Sequence, residues 1–215
     1  MAEPDFLTRT RHAYDTIAVP YAEWIRGLMA ASPWDRAVLG VFAERVAGRG
    51  RVLDAGCGPG RVTAHLASLG VDAEGLDLSP AMVAIARADH PDLRFEVGSV
   101  TELPFAAESY VGVVAWYSLI HVPPEALPAA VDELARVLRP GGVMLASFQT
   151  GDTPRRRTDI GGHAVELDFF RPEVDEIVGL LDRAGLDLAA TTVRSADADL
   201  DEGVRQAYVL ARKRG

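Results

Sequence analysis

The chain has 215 residues, 48% of them hydrophobic and 25% charged, which excludes a disordered or fibrous protein and supplies one compact domain with ample material for a core. Its 22 basic and 31 acidic residues leave a formal net charge of -9, a surface that repels phosphates and argues against DNA or RNA as substrate. No apolar run approaches the roughly 20 residues a bilayer demands, no basic stretch precedes an apolar one at the N-terminus, and the single cysteine, Cys57, has no internal partner. A cytoplasmic protein with neither membrane attachment nor metal is therefore expected.

In chain order, residues 1–50 carry helical patterns over 4–17, 21–29 and 35–47 that precede any strand alternation and read as an N-terminal cap. From 51 to 215 the chain reads as one compact core. Short apolar runs over 51–55, 71–78, 93–98, 111–117 and 143–148 alternate with helical periods over 61–69, 80–89 and 125–138, the pattern of a parallel sheet covered on both faces. Ser79 and Pro80 suit an N-cap and first helical position, while Pro140, Gly141 and Gly142 stop the later helix. The polar stretch 149–162, with Gly151, Pro154 and the run Arg155, Arg156, Arg157, reads as a long surface loop. A helix over 172–184 then leads to two closing strands, 188–193 and 207–212, as a terminal hairpin.

The first strand runs into Gly56-Cys57-Gly58-Pro59-Gly60, a loop that opens a helix. Residues lacking Cβ at Gly56 and Gly58 let the backbone turn sharply and bring N–H groups against a ligand, although a tight strand-to-helix turn alone would use glycines too. The second strand ends at Asp77, about 20 residues further on and at the carboxyl end where open α/β sheets bind ligands. A carboxylate there can accept from both hydroxyls of a ribose, or simply cap the next helix. A nicotinamide dinucleotide is disfavoured on two counts. Arg61 stands where the dinucleotide fingerprint requires its third glycine, and Asp54, just ahead of the loop, would repel a pyrophosphate but can meet an ammonium.

These residues resemble motif I and the acidic second-strand residue of class I S-adenosylmethionine-dependent methyltransferases. Phe95-Glu96-Val97-Gly98-Ser99-Val100 and Leu134 to Gly142 resemble that family's adenine segment and its helix before strand five. The resemblance implies an α/β fold, a doubly wound, mostly parallel seven-stranded sheet in the order 3-2-1-4-5-7-6 with the last strand antiparallel, and helices on both faces. It implies S-adenosyl-L-methionine as cofactor, S-adenosyl-L-homocysteine as product, and methyl transfer to O or N of a small-molecule acceptor. Asp54, Gly56, Cys57 and Gly58 would hold the methionine part, Asp77 the ribose, Leu78 and Met82 the faces of adenine, and Ser99 and Val100 its edge. Ser99 departs from the family's usual Asp, so its adenine contact would be neutral. The rival functions are a NAD-dependent oxidoreductase and a protein that binds S-adenosylmethionine without transferring methyl.

Strand four ends in Trp116 and Tyr117, which would lie along cofactor and acceptor or else pack in the core, and His121 follows as a candidate general base or a loop-bonding histidine. His163, Glu166 and Asp168 read as a strand edge lining the acceptor cavity rather than as metal ligands. Arg155 to Arg157 read as solvated surface or as an anion site. Tyr14 and Tyr21, on a segment over 1–29 with its own amphipathic pattern, are expected to close over the cofactor as a lid.

Overall fold

A computed structural model of the chain describes residues 3–151, 154–200 and 202–215. Its elements are α1 (Asp5–Ile25), α2 (Leu28–Ala31), α3 (Pro33–Val46), β1 (Val52–Ala55), α4 (Arg61–Ser68), β2 (Ala73–Asp77), α5 (Pro80–Asp89), β3 (Arg94–Val97) and β4 (Tyr110–Trp116). The chain continues with α6 (Leu127–Val137), β5 (Leu138–Thr150), β6 (Arg155–Ile160), β7 (His163–Phe169), α7 (Val174–Arg183), β8 (Leu186–Arg194) and β9 (Arg205–Lys213).

Seven strands form one sheet in the order β3-β2-β1-β4-β5-β9-β8, and β9 runs antiparallel to β5. With the hairpin β6–β7 left out of the count, this is the expected 3-2-1-4-5-7-6. Every residue of β1 and β4 is buried, as a strand covered on both faces requires. One face packs Leu134, Leu138, Phe148, Ile177 and Leu181 under α6 and α7; the other packs Leu39, Phe42, Val46 and Leu66 under α3 and α4. Two helix starts, those of α3 and α5, follow side-chain chemistry. Ser79 accepts from the Met82 N–H at 3.1 Å, and Ser32 accepts from the Asp35 N–H at 3.2 Å with a proline next in line.

Two expectations are corrected. The cap's first two helical segments, expected over 4–17 and 21–29, form one helix that continues through Pro20 to Ile25, followed by the short α2. Proline normally interrupts a helix by removing an N–H and crowding the preceding turn. Here Ala13, Ile17, Ala18, Ala22 and Ile25 form a buried face that spans the proline and holds the helix together from outside. Met1 and Ala2 of the expected cap lie outside the described residues.

The expected loop over 149–162 is mostly strand. β5 extends to Thr150, and β6 pairs with β7 in register Ile160↔His163, closing on Gly161 and Gly162 at φ 62° and 82°. Two successive positive-φ glycines make the two-residue turn that strand twist favours. The strand was hidden because β6 is polar up to its final Ile160; its apolar support comes from Val165 and Leu167 of β7, buried against Ala13 and Ile17 of α1. Asp152 and Thr153 of the expected loop lie outside the described residues. Among the described residues no helix is long and apolar enough to cross a membrane.

Candidate active site

At the carboxyl ends of β1, β2 and β4 lies a cavity of about 850 Å³, bounded by α1 and the β6–β7 hairpin. The residues expected to hold the cofactor line it, from Tyr14 and Tyr21 through the glycine loop and Asp77 to Ser99 and Val100, as do Trp116, Tyr117 and His121, whereas His163, Glu166 and Asp168 do not.

The glycine loop is folded by backbone bonds to β2. The N–H groups of Gly56 and Cys57 donate to the Leu76 carbonyl at 2.7 and 3.0 Å, and the Gly58 N–H donates to Asp77 Oδ2 at 2.7 Å. Gly56 has φ 83°, and a Cβ there would stand 2.2 Å from Ser118 Cβ. Gly58 has φ 54° and nothing within 4 Å of where its Cβ would lie, so the backbone is bare toward the cavity. Asp77 Oδ1 accepts from the Ser79 N–H at 2.9 Å. Each oxygen keeps a second lone pair for an incoming hydroxyl. Burial pushes this carboxyl up to about 6 against the opposing pull of those N–H bonds.

Asp54 is fully buried; its Oδ2 accepts from Thr63 Oγ1 at 2.7 Å and its Oδ1 has no partner. Burial pushes it, too, up to about 6. Among the described residues five buried polar side-chain atoms have no partner; Asp54 Oδ1, Arg61 Nη1, Trp116 Nε1 and Ser118 Oγ belong to residues lining this cavity, and the fifth, His65 Nε2, lies outside it. Buried polar atoms are nearly always satisfied in native proteins, so this concentration marks a site that completes its hydrogen bonds with a ligand. The donor set fits the expected cofactor: a buried anionic oxygen for an ammonium, a second carboxylate for hydroxyls, and a bare glycine backbone beside them.

Leu78, Met82 and Val100, expected to meet adenine, line one wall. The Ser99 hydroxyl is engaged with Thr101, taking its N–H at 3.1 Å and lying 2.8 Å from its Oγ1. α1 is held over the cavity from both sides. Asp15 Oδ1 accepts from Ser79 Oγ at 2.5 Å and from the Ala81 N–H at 3.1 Å, at the start of α5. The rings of Tyr14 and Tyr21 meet edge to face at 5.4 Å.

His121 has neither ring nitrogen free. Nδ1 lies 2.8 Å from the Asp168 carbonyl, which can only accept, so Nδ1 carries the proton. Nε2 therefore accepts from the Tyr14 hydroxyl at 2.8 Å. Burial pushes the imidazole down to about 4. His163, Glu166 and Asp168 do not assemble. Asp168 binds Arg156 through both oxygens at 2.6 and 2.7 Å, His163 and Glu166 are exposed, and it is Leu167 and Phe169 of the same strand that line the cavity.

Tyr117 closes β4 at φ 55°, a conformation rare for a residue with a Cβ, and the Trp116 and Tyr117 rings meet perpendicularly at 5.8 Å. The Tyr117 hydroxyl lies 3.4 Å from that of Tyr208, which donates to Asp35 Oδ1 at 2.9 Å and accepts from Arg194 Nε at 3.1 Å. Sequence reasoning missed Asp35 and Tyr208. Asp35 reads locally as a helix-start acid and Tyr208 as a strand aromatic, and no motif links them.

A profile of the methyltransferase domain family matches residues 52–142. A probable S-adenosylmethionine-dependent methyltransferase of Mycolicibacterium smegmatis is 36% identical over 173 residues, 78% of this chain and 64% of that protein. The chain spans about half to two thirds of the length of the first curated relatives it matches. Among solved structures, the Burkholderia thailandensis 1,6-didemethyltoxoflavin-N1-methyltransferase, with 1,6-didemethyltoxoflavin and S-adenosylhomocysteine bound, superposes with TM-score 0.74 at 22% identity, covering 100% of this chain and 92% of that one. The magnesium protoporphyrin IX methyltransferase of Synechocystis PCC 6803, with S-adenosylmethionine bound, superposes with TM-score 0.76 at 18% identity, covering 99% of each chain. At those identities the two superpositions speak for the fold. Sheet order, glycine loop, profile and relatives agree: residues 52–142 match the methyltransferase domain, and the chain is similar in sequence and fold to class I S-adenosylmethionine-dependent methyltransferases.

Proposed function

We propose that this chain transfers a methyl group from S-adenosylmethionine to an oxygen or nitrogen of a small-molecule acceptor. The observation that carries the reading is the convergence of partnerless buried polar atoms, led by Asp54 Oδ1, on the one cavity where the bare Gly58 backbone and Asp77 also lie. Bound there, S-adenosylmethionine supplies an already activated, sulfonium-bound methyl group.

The protein's own part is then binding, alignment and exclusion of water. Asp54 Oδ1 accepts from the ammonium of the methionine part, beside the loop Gly56-Cys57-Gly58. Asp77 accepts from the ribose hydroxyls while keeping its hold on the loop. Leu78, Met82 and Val100 enclose adenine, with backbone groups near Ser99 serving its edge, since that hydroxyl already serves Thr101. Tyr14 and Tyr21 bring α1 over the cofactor as a lid, and Trp116 and Tyr117 set the acceptor's approach at the end of β4. His121 acts as a strut: neutral, with both nitrogens engaged, it ties Tyr14 of α1 to the backbone of β7 rather than taking a proton from the acceptor. The acidic surface argues for a small acceptor over a nucleic acid.

The test is titration calorimetry of the full chain with S-adenosylhomocysteine and with NAD, followed by an assay for S-adenosylhomocysteine release with a panel of hydroxyl and amine acceptors. Tight binding of S-adenosylhomocysteine and none of NAD is expected. Binding of NAD alone, or cofactor binding with no turnover on any acceptor class, overturns the reading.

A further inference from the structure

The β6–β7 hairpin stands outside the main sheet and takes no part in holding the cofactor, yet it forms one wall of the cavity. Its register sorts the three arginines by face. Arg155 lies opposite Phe169 and Arg157 opposite Leu167, and all four residues line the cavity. Arg156 lies opposite Asp168, with which it makes a two-pronged ion pair away from that face. Alternation along a strand thus converts an apparent charge run into one neutralised arginine and two that face the cavity. Neither Arg155 nor Arg157 forms an ion pair with a described residue. In a chain of net charge -9, two un-neutralised guanidinium groups on an otherwise apolar wall focus a positive potential on the acceptor end of the site.

Resting on the methyl-transfer reading above, we infer that the acceptor carries an anionic oxygen group, a carboxylate or a phosphate monoester, which docks on Arg155 and Arg157 while its apolar body lies against Leu167 and Phe169. Guanidinium forks match the planar spacing of carboxylate and phosphate oxygens, so they orient the acceptor as well as attract it. Their place on a strand braced by Val165 and Leu167 against α1 fixes that grip relative to the cofactor half of the cavity.

The probes are 2-naphthoate, 2-naphthyl phosphate and the neutral 2-naphthalenemethanol, each titrated into the full chain saturated with S-adenosylhomocysteine. At least one anion should bind about tenfold or more tightly than the alcohol, as a charge-assisted pair implies, and the preference should shrink as potassium chloride is raised. The tighter of the two anions identifies the group. Combining Arg155→Gln with Arg157→Gln should abolish the preference and leave S-adenosylhomocysteine affinity intact, whereas Arg156→Gln should keep it. Equal binding of the three probes, absence of binding by all three, or a preference that survives the double substitution overturns the inference. Failure of the chain to bind S-adenosylhomocysteine at the outset strikes the methyl-transfer reading instead, so the two failures are distinguishable.

Discussion

Replacing Asp54 by Asn separates what the buried carboxylate costs the fold from what it contributes to binding. Burial raises its pKa from an ordinary 3.8 to about 6, so the folded chain holds this proton more tightly than the unfolded one. The resulting stabilisation is fully present below pH 3.8 and is lost as pH rises through about 6. At pH 8 a shift of that size disfavours the charged side chain in the fold by about 3 kcal/mol. The Asn amide is neutral at every pH and still accepts from Thr63, but it places an N–H where Oδ1 now has no partner, which costs about 1–3 kcal/mol. At pH 8 the ligand-free variant should therefore unfold at the parent's temperature or a few degrees above it, on a scale of roughly 2–4 °C per kcal/mol. At pH 5, inside that window, the parent recovers about half of the difference, roughly 1.4 kcal/mol, so the variant loses ground relative to it. Binding moves the other way. Losing the charged acceptor for the ammonium should weaken S-adenosylhomocysteine by about 1.5–3 kcal/mol, roughly 10- to 150-fold in Kd. Scanning calorimetry at the two pH values and titration calorimetry at pH 8 measure both effects. A variant that is as destabilised relative to the parent at pH 8 as at pH 5, or that binds S-adenosylhomocysteine like the parent, refutes the reasoning.

Gly56→Ala should destabilise the chain by about 2–5 kcal/mol, from the positive φ and from overlap with Ser118. Adding Ser118→Gly should recover the overlap part alone, and thermal melts in which the second change recovers nothing would disprove the steric account. His121→Ala should slow turnover by at most about 10²-fold, and the parent's kcat/KM should show no histidine inflection near pH 6.5, because the imidazole titrates near 4. A much larger loss, with cofactor affinity and fold intact, would make His121 an obligatory base. Hydrogen exchange across α1 should slow when S-adenosylhomocysteine is added, with little change in the strands, whose amides are already protected. Exchange in α1 that is equal with and without ligand would remove the lid from the mechanism.

The sequence by itself determined what depends on neighbours within a turn or a strand. Gly56, Gly58 and Asp77 announce a ligand loop because backbone conformation and charge at a strand end are local properties, and Ser79-Pro80 starts α5 where a serine cap and proline must. The resemblance then supplied the sheet order, which strand periodicity alone leaves open. Only tertiary structure decided the rest, since the deciding partner is distant in the chain. Pro20 continues a helix because α5 and β7 hold its buried face, and a polar run at Arg155 to Arg157 becomes a strand because β7 brings the apolar support. The partner that occupies the second ring nitrogen of His121, and on which its proposed strut role rests, is Tyr14, 107 positions away. Asp35 and Tyr208 meet across 173 positions to brace Tyr117, a contact no local pattern encodes, because side chains so far apart come within hydrogen-bonding reach only when the whole sheet has assembled.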